Sequence, residues 1–363
     1  MRVQTVRSIV TGTAFAAMAS GLGGSAAFAN ELTGFAMMPA NTFAEGPTSG
    51  QFAGAGAGGN ALPLLNKQPV QGISAVLAGP TDDSFYVMPD NGFGAKTNSA
   101  DALLRIYALK PDFTVWTRRG LRGSGTVAPV SFRSGRELTS FSADSFISLS
   151  DPNRRLGFTL VSDMATYPNG DNTIPVDPSI RANHLLTGSD FDIESVRLDS
   201  RGHFWFGEEF GPFLVEADGT NIGDMTAIND HQFLVIERNG VTATSTSGTP
   251  FKKIFVADLT GVPSGGFAHK TELVDLMNIS DPHDLNGDGQ TVFTFPYVTI
   301  ESVLILDPST LLVINDNNYP GTGGRDTSSD HTEFLKIRLD QRLDVARDCH
   351  GEDDDGDHEG HDR

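Results

Sequence analysis

From Pro69 onward the apolar residues of this chain never hold a helical period for three turns, apart from one stretch near Leu273–Met277. They fall instead into short runs cut by Gly, Asp, Asn and Pro. Phe85-Tyr86-Val87-Met88, Phe204-Trp205-Phe206, Phe233-Leu234-Val235-Ile236 and Leu311-Leu312-Val313-Ile314 have the length and composition of strands. Forty glycines and nineteen prolines supply the turns that so many short strands require.

The runs also repeat. Gln71-Gly72-Ile73-Ser74, Asp192-Ile193-Glu194-Ser195 and Thr299-Ile300-Glu301-Ser302 each precede a short strand, a polar turn, a second apolar strand and then an acid or amide cluster. Those clusters are Asp90-Asn91-Gly92, Glu208-Glu209 and Asp316-Asn317-Asn318, and a looser fourth copy runs from Asp224 to Glu237-Arg238. Further strands follow at Leu104–Leu109, Lys253–Asp258 and Phe334–Leu339. A unit of three or four antiparallel strands with two apolar faces cannot cover itself. Neighbouring units must do so, and a ring of them removes the open edges. The pattern therefore predicts an all-β, β-propeller-like ring of antiparallel blades, five or six in number. Its inner strand ends would gather equivalent polar residues in one central mouth. A β-sandwich is the structural alternative.

Around this domain, assigned to residues 69–340, the composition changes. Residues 30–68 read as a flexible N-terminal segment with a first strand, and Gly50–Gly59 as a loose loop. Residues 1–29 have the parts of a secretory signal: Arg2 and Arg7, an uncharged small-apolar run from Ile9 to Leu22, and Ala27-Phe28-Ala29 before the cut. The alternative, a membrane anchor, is weakened by Gly12, Gly21, Gly23 and Gly24 within too short a run. Export to the periplasm or the exterior is expected, with cleavage near Ala29 and no membrane span. Residues 341–363 form a tail; from 348 on it holds eight acids and three histidines among glycines, the composition of a disordered end.

Net charge is −20, and loss of Arg2 and Arg7 takes it to −22. A general nucleic-acid binder needs a basic footprint, so that class is excluded. The lone Cys349 closes no intramolecular disulfide, and stability must come from an apolar core. The protein is expected to be a monomer.

The chemistry centres on Asp192, Glu194, Glu208, Glu209, Glu301 and Asp316, with Asp90, Asn317 and Asn318 beside them. Two carboxylates about 4 Å apart repel by roughly 4 kcal/mol at an effective dielectric near 20. A mouth that gathers several must hold protons or a cation. Oxygen ligands without a Cys or His set select a hard ion, Ca²⁺ first and Mg²⁺ second. Asp90, Asp192 and Asp316 are the candidate ligands, and Glu194, Glu208, Glu209 and Glu301 the candidate catalytic carboxylates. Arg238 and Arg325 are candidates for holding an oxyanion, with Asn317 and Asn318 beside the substrate. Each acid taken singly also fits an ordinary turn cap, and Arg238 also fits an ion pair with Glu237 or with an acid of another blade. Asp284, Asn286 and Asp288 form a second calcium candidate. The twelfth position from Asp284 is Phe295, so the loop is not an EF-hand, and a plain polar turn is the alternative. No Gly-x-Ser-x-Gly elbow is present, and His184, His231, His269 and His331 lack metal-ligand spacing.

Several of these stretches together resemble a known family. They are Leu186-Thr187-Gly188-Ser189-Asp190-Phe191-Asp192-Ile193-Glu194-Ser195, Phe204-Trp205-Phe206-Gly207-Glu208-Glu209-Phe210-Gly211-Pro212-Phe213-Leu214 and Phe233–Arg238. Phe295-Pro296-Tyr297-Val298-Thr299-Ile300-Glu301-Ser302-Val303, Ile314-Asn315-Asp316-Asn317-Asn318-Tyr319-Pro320 and Arg325 complete the set. The sequence is similar to the phytase-like family, also named for the esterase-like activity of phytase. The resemblance implies an exported propeller that hydrolyses a phosphomonoester or carboxylic ester. The sequence departs from the family where Asp218-Gly219-Thr220-Asn221 runs directly into Ile222-Gly223-Asp224. A long intervening stretch is absent there, so one blade is shortened or missing. A non-catalytic binding propeller with the same mouth is the alternative function.

Overall fold

The computed structural model describes residues 30–54, 61–169, 173–210, 221–263 and 265–346. The proposed signal, most of the glycine loop, the shortened junction before Asn221, Cys349 and the acidic tail lie outside the described residues.

The fold is nearly all β, built from four antiparallel units in chain order. The first pairs Ile73–Ala78, Phe85–Pro89 and Arg105–Asp112, with Thr126–Pro129 and Phe146–Ser148 flanking the last strand. The second pairs Ile193–Leu198 with Phe204–Glu208. The third is a four-stranded sheet, Asn221–Ala227, Gln232–Arg238, Lys252–Asp258 and His269–Asp275. The fourth runs Thr299–Asp307, Thr310–Asp316 and Thr332–Arg338, and Glu31–Met38 completes it from the N-terminal side. The N-terminal segment expected to be flexible thus contributes Glu31–Met38 to the sheet, while Phe43–Glu45 pairs with Lys67–Pro69 in a separate two-stranded sheet.

Both faces of a blade are apolar because both are covered. On Thr310–Asp316, Leu311 and Val313 enter the core shared with the third unit, while Leu312 and Ile314 enter the core shared with the first. On Arg105–Asp112, Tyr107 and Leu109 face the fourth unit, while Ile106, with Leu104 just before the strand, faces the second. This is strand alternation with two buried sides.

The inner strands meet around an axis. Ile73–Ala78 touches Thr299–Asp307 and Ile193–Leu198, and Asn221–Ala227 touches Thr299–Asp307. Arg197 Nη2 donates to Met225 O at 3.3 Å and so links the second and third inner strands. The first and fourth units also join at their outer side through Met37 and Thr126, giving a nearly closed, barrel-like sheet with propeller-like packing. Four inner strands are present among the described residues, against the expected five or six blades.

The stretch near Leu273–Met277 is not helical: it ends strand His269–Asp275 and enters a turn. A register shift opposite Ile254 and Phe255 lets Leu273 and Val274 both be buried, which mimics helical spacing in the sequence. The one α-helix among the described residues is Pro178–Asn183, capped where Asp177 accepts from Ser179 N at 2.8 Å. No described helix is long and apolar enough to cross a membrane.

Candidate functional site

Each inner strand carries a register shift at the same place: after Ile73, Ile193, Ile222 and Ile300. A bulge inserts one residue and re-aims a side chain. The inserted positions are Ser74, Glu194, Gly223-Asp224 and Glu301, which corrects the sequence alignment of the first copy by one residue. Ser74, not Ile73, is the counterpart of Glu194 and Glu301. It meets one of them directly, its Oγ donating to Glu301 Oε2 at 3.1 Å.

A second ring lies opposite the residues that lead into these bulges. Asp90 N donates to Gly72 O at 3.0 Å and Glu209 N to Asp192 O at 2.8 Å. Arg238 pairs with Asn221 and Asp316 with Thr299. Equivalent positions are therefore Asp90, Glu209, Arg238 and Asp316: three acids and one guanidinium. The third unit supplies the counter-charge that the other three lack.

Arg238 is buried and spans to the fourth unit. Its Nη2 donates to Glu301 Oε1 at 2.6 Å and its Nη1 to Val298 O at 2.9 Å, leaving Nε unpartnered. Its acid is thus Glu301, while Glu237 binds Lys270 Nζ at 2.6 Å. Asp224 ties the same two units together, accepting from Val303 N at 2.9 Å and Met225 N at 2.6 Å. Burial pushes its carboxyl up to about 6. Gly223 is required beside it, since a Cβ there would lie 2.0 Å from Ile300 O.

Asp90, Asp192 and Glu194 each offer a carboxylate oxygen, and these oxygens lie within 4.8 Å of one another. Among the described residues this is the group of three or more acids, histidines or cysteines with the spacing for an ion. Asp192 is 9% exposed, and its Oδ1 is buried without a hydrogen-bond partner. Burial, reinforced by the charges of Glu301 and Asp90, pushes the Glu194 carboxyl up to about 11. Burial and Asp316 hold Asp90 well above the usual carboxylate range. Burial, with Asp316 adding repulsion and Arg238 opposing it, places Glu301 at about 7. Asp316 is raised by burial, while Asn318 N donates to its Oδ1 at 2.7 Å. Glu209, exposed at the rim, is raised by burial of its carboxyl and by Asp192. Without a cation, several of these groups must stay protonated at neutral pH.

Other expected residues are placed differently. Glu208 is a positioning group: its Oε1 accepts from Asp192 N at 3.3 Å and Phe210 N at 2.9 Å. Asn317 is buried and donates to Gln71 Oε1 at 2.7 Å and Asp330 O at 2.8 Å, while Asn318 donates to Thr299 Oγ1. Arg325 is not brought into the ring. Its Nε bonds Tyr297 OH at 3.0 Å and its Nη2 bonds Glu333 Oε2 at 2.8 Å and Thr294 O at 2.7 Å. A buried carboxylate within reach captures the guanidinium, so its role here is to hold loop to sheet.

Asp284, Asn286 and Asp288 spend their oxygens on their own turn. Gly289 N donates to Asp284 Oδ1 at 3.0 Å, and Asn286 Nδ2 to Asp288 Oδ2 at 2.9 Å. That is the bonding of a polar turn. His331 Nδ1 accepts from Ala40 N at 3.0 Å and has a structural partner. Sequence reasoning missed Ser74 and Asp224 as members of the ring. The only signal for them was their offset from the isoleucine that opens each copy.

The family model described as Phytase-like, esterase-like activity of phytase, matches residues 68–221 and 216–319. The chain belongs to this family. The match takes in every residue of both rings, from Gly72 to Asn318, and ends before Arg325 and Glu333. Its two segments overlap over 216–221, at the junction that the sequence marks as shortened. Among curated proteins none matches the chain.

Proposed function

We propose that the protein is an exported, metal-assisted hydrolase of a phosphomonoester or carboxylic ester, working in the central mouth of the ring. One observation carries the reading: Asp90, Asp192 and Glu194 present oxygens within 4.8 Å of one another, and Asp192 also has a buried oxygen, Oδ1, without a hydrogen-bond partner. A half-buried carboxylate group in which one oxygen has no donor fits a hard cation, Ca²⁺ first and Mg²⁺ second. A cation held by these three residues supplies Lewis acidity toward an ester oxygen or a water molecule. Family membership supports ester hydrolysis, and residues 1–29 support export.

The chain's own groups divide the remaining work. Glu209, at the rim with a raised carboxyl, accepts the proton of the attacking water. Glu301, poised at about 7 between Arg238 and Ser74, returns a proton to the leaving oxygen. Arg238 keeps the Glu301 carboxyl oriented, and Glu208 holds the backbone of Asp192 in place.

The test is turnover of a generic phosphomonoester and of a short acyl ester, with and without Ca²⁺, in wild type, Asp192→Asn, Glu194→Gln and Glu301→Gln. Losses of roughly 100-fold are expected where a proton-transfer group is removed. Unchanged rates in all three variants overturn the reading. A second reading, a non-catalytic binding ring, is favoured by the engagement of both terminal nitrogens of Arg238 with Glu301 and Val298. Calorimetric Ca²⁺ binding without turnover of either substrate class would select it.

A further inference from the structure

Beside the mouth, between the first and second units, lies a cavity of about 380 Å³ that the proposed chemistry does not use. Its walls are mainly aliphatic and aromatic, with Leu149, Leu156, Phe191 and Phe206 among them. Glu208 lines it from the mouth side. The same Glu208 carboxylate accepts from the backbone of Asp192, so cavity and mouth share one residue as their common wall.

The two carboxylates that line the cavity accept backbone hydrogen bonds. Asp151 is buried and accepts from Arg155 N and Leu156 N, each at 2.9 Å. Arg155 itself is exposed. Phe158, 52% exposed, packs edge-on against Phe191 with centroids 5.6 Å apart and extends the apolar rim. An apolar cavity near 150 Å³ accepts a benzene ring, so this volume admits roughly a bicyclic ring or a medium acyl chain. Its size falls within the usual range for small-ligand sites, which begins near 300 Å³.

We infer that this cavity binds the aryl or alkyl group of an ester whose polar end sits in the acidic mouth. The preferred substrates are thereby amphiphilic esters rather than polyphosphorylated polyols. Arg238, the counter-charge of the ring, is already committed to Glu301, and the cavity walls are mainly apolar, with Arg155 their single cation beside the carboxylates of Asp151 and Glu208. The substrate part of this inference rests on the ester-hydrolase reading, while the binding part stands without it.

Two measurements separate them. The first is calorimetric binding of 1-naphthylacetamide, a neutral bicyclic probe with no ester to cleave, to wild type, Leu156→Trp and Ser150→Phe. Leu156 is half-buried and Ser150 is exposed, and both line the cavity, so each variant adds bulk to its wall. Binding by wild type and a loss of tenfold or more in either variant that melts cooperatively are expected, since even one lost methylene contact costs about tenfold. The second compares turnover of naphthyl phosphate with methyl phosphate. The naphthyl ester should be preferred, and the preference should fall tenfold in the filled variants while methyl phosphate turnover stays level. Probe binding without turnover of any ester sinks the hydrolase reading and leaves the cavity assignment intact. Absent probe binding, or equal binding in wild type and a folded filled variant, overturns the cavity assignment whatever the turnover.

Discussion

Glu194→Gln isolates the charge that the mouth tolerates least. Burial and the neighbouring Glu301 and Asp90 push the Glu194 carboxyl from an ordinary 4.5 to about 11. The unfolded chain releases this proton near 4.5, whereas the folded chain keeps it. The stability tied to the group is therefore fully present below about pH 4.5 and is lost as pH rises toward the folded value, by about 1.4 kcal/mol per pH unit. Between about pH 5 and pH 8 the loss is about 4 kcal/mol, or roughly 8 °C in melting temperature at about 2 °C per kcal/mol for a large domain. Asp90 and Asp316 are raised in the same direction and steepen the slope. Calorimetric melts in chelator across this range should show wild type falling with pH. Glu194→Gln should fall less by one proton's share, because glutamine has no proton to retain. Added Ca²⁺ should raise the wild-type melt most at the alkaline end, since cation binding expels the proton that the fold retains. Parallel slopes for wild type and variant, or a melt indifferent to Ca²⁺ at about pH 8, would refute this account of the mouth.

Arg238→Ala leaves Glu301 buried without its counter-charge. It should cost about 3–5 kcal/mol in denaturant unfolding and move the pH–rate profile upward, because Arg238 holds the Glu301 carboxyl down. Gly223→Ala puts a methyl 2.0 Å from Ile300 O and should destabilise by about 3 kcal/mol or more, read from the same unfolding curves. Tyr297→Phe removes the hydroxyl that donates to Glu333 Oε1 at 2.7 Å and accepts from Arg325; a stability loss of about 1–3 kcal/mol with unchanged turnover is expected. Asp288→Ala should leave the Ca²⁺ binding isotherm unaltered, and a lost binding event there would restore the loop around Asp284 as a cation site.

Much of the ring is legible in the sequence. Strand length and a polar turn set the distance from one inner strand to the end of the next, so the acids recur at nearly constant offset. Glu194 to Glu209 and Glu301 to Asp316 are both fifteen residues apart. The offset could not say which of two adjacent acids faces the axis, because alternation places Glu208 and Glu209 on opposite sides and a single bulge reverses the choice. For the same reason Ser74 was aligned one residue away from its true counterparts. Arg325 was misplaced because a guanidinium serves whichever carboxylate lies within reach, and Glu333 reaches it only once the loop folds back on the sheet. The extra apolar residues near Leu273 imitated a helix because a bulge buries two neighbours in succession.

Sequence alone determined the all-β class, the repeat and the family, since these depend on local alternation, turn residues and spacing. It also determined the excess of acids that the mouth would have to accommodate. Tertiary structure decided how that excess is managed: Arg238 answers Glu301 across two units, and Asp90, Asp192 and Glu194 converge from two separate blades. Closure by Glu31–Met38 against Thr332–Arg338 was decided there too. Such pairings join residues far apart in the chain, and their energies depend on burial and distance, quantities that exist only after the ring has formed.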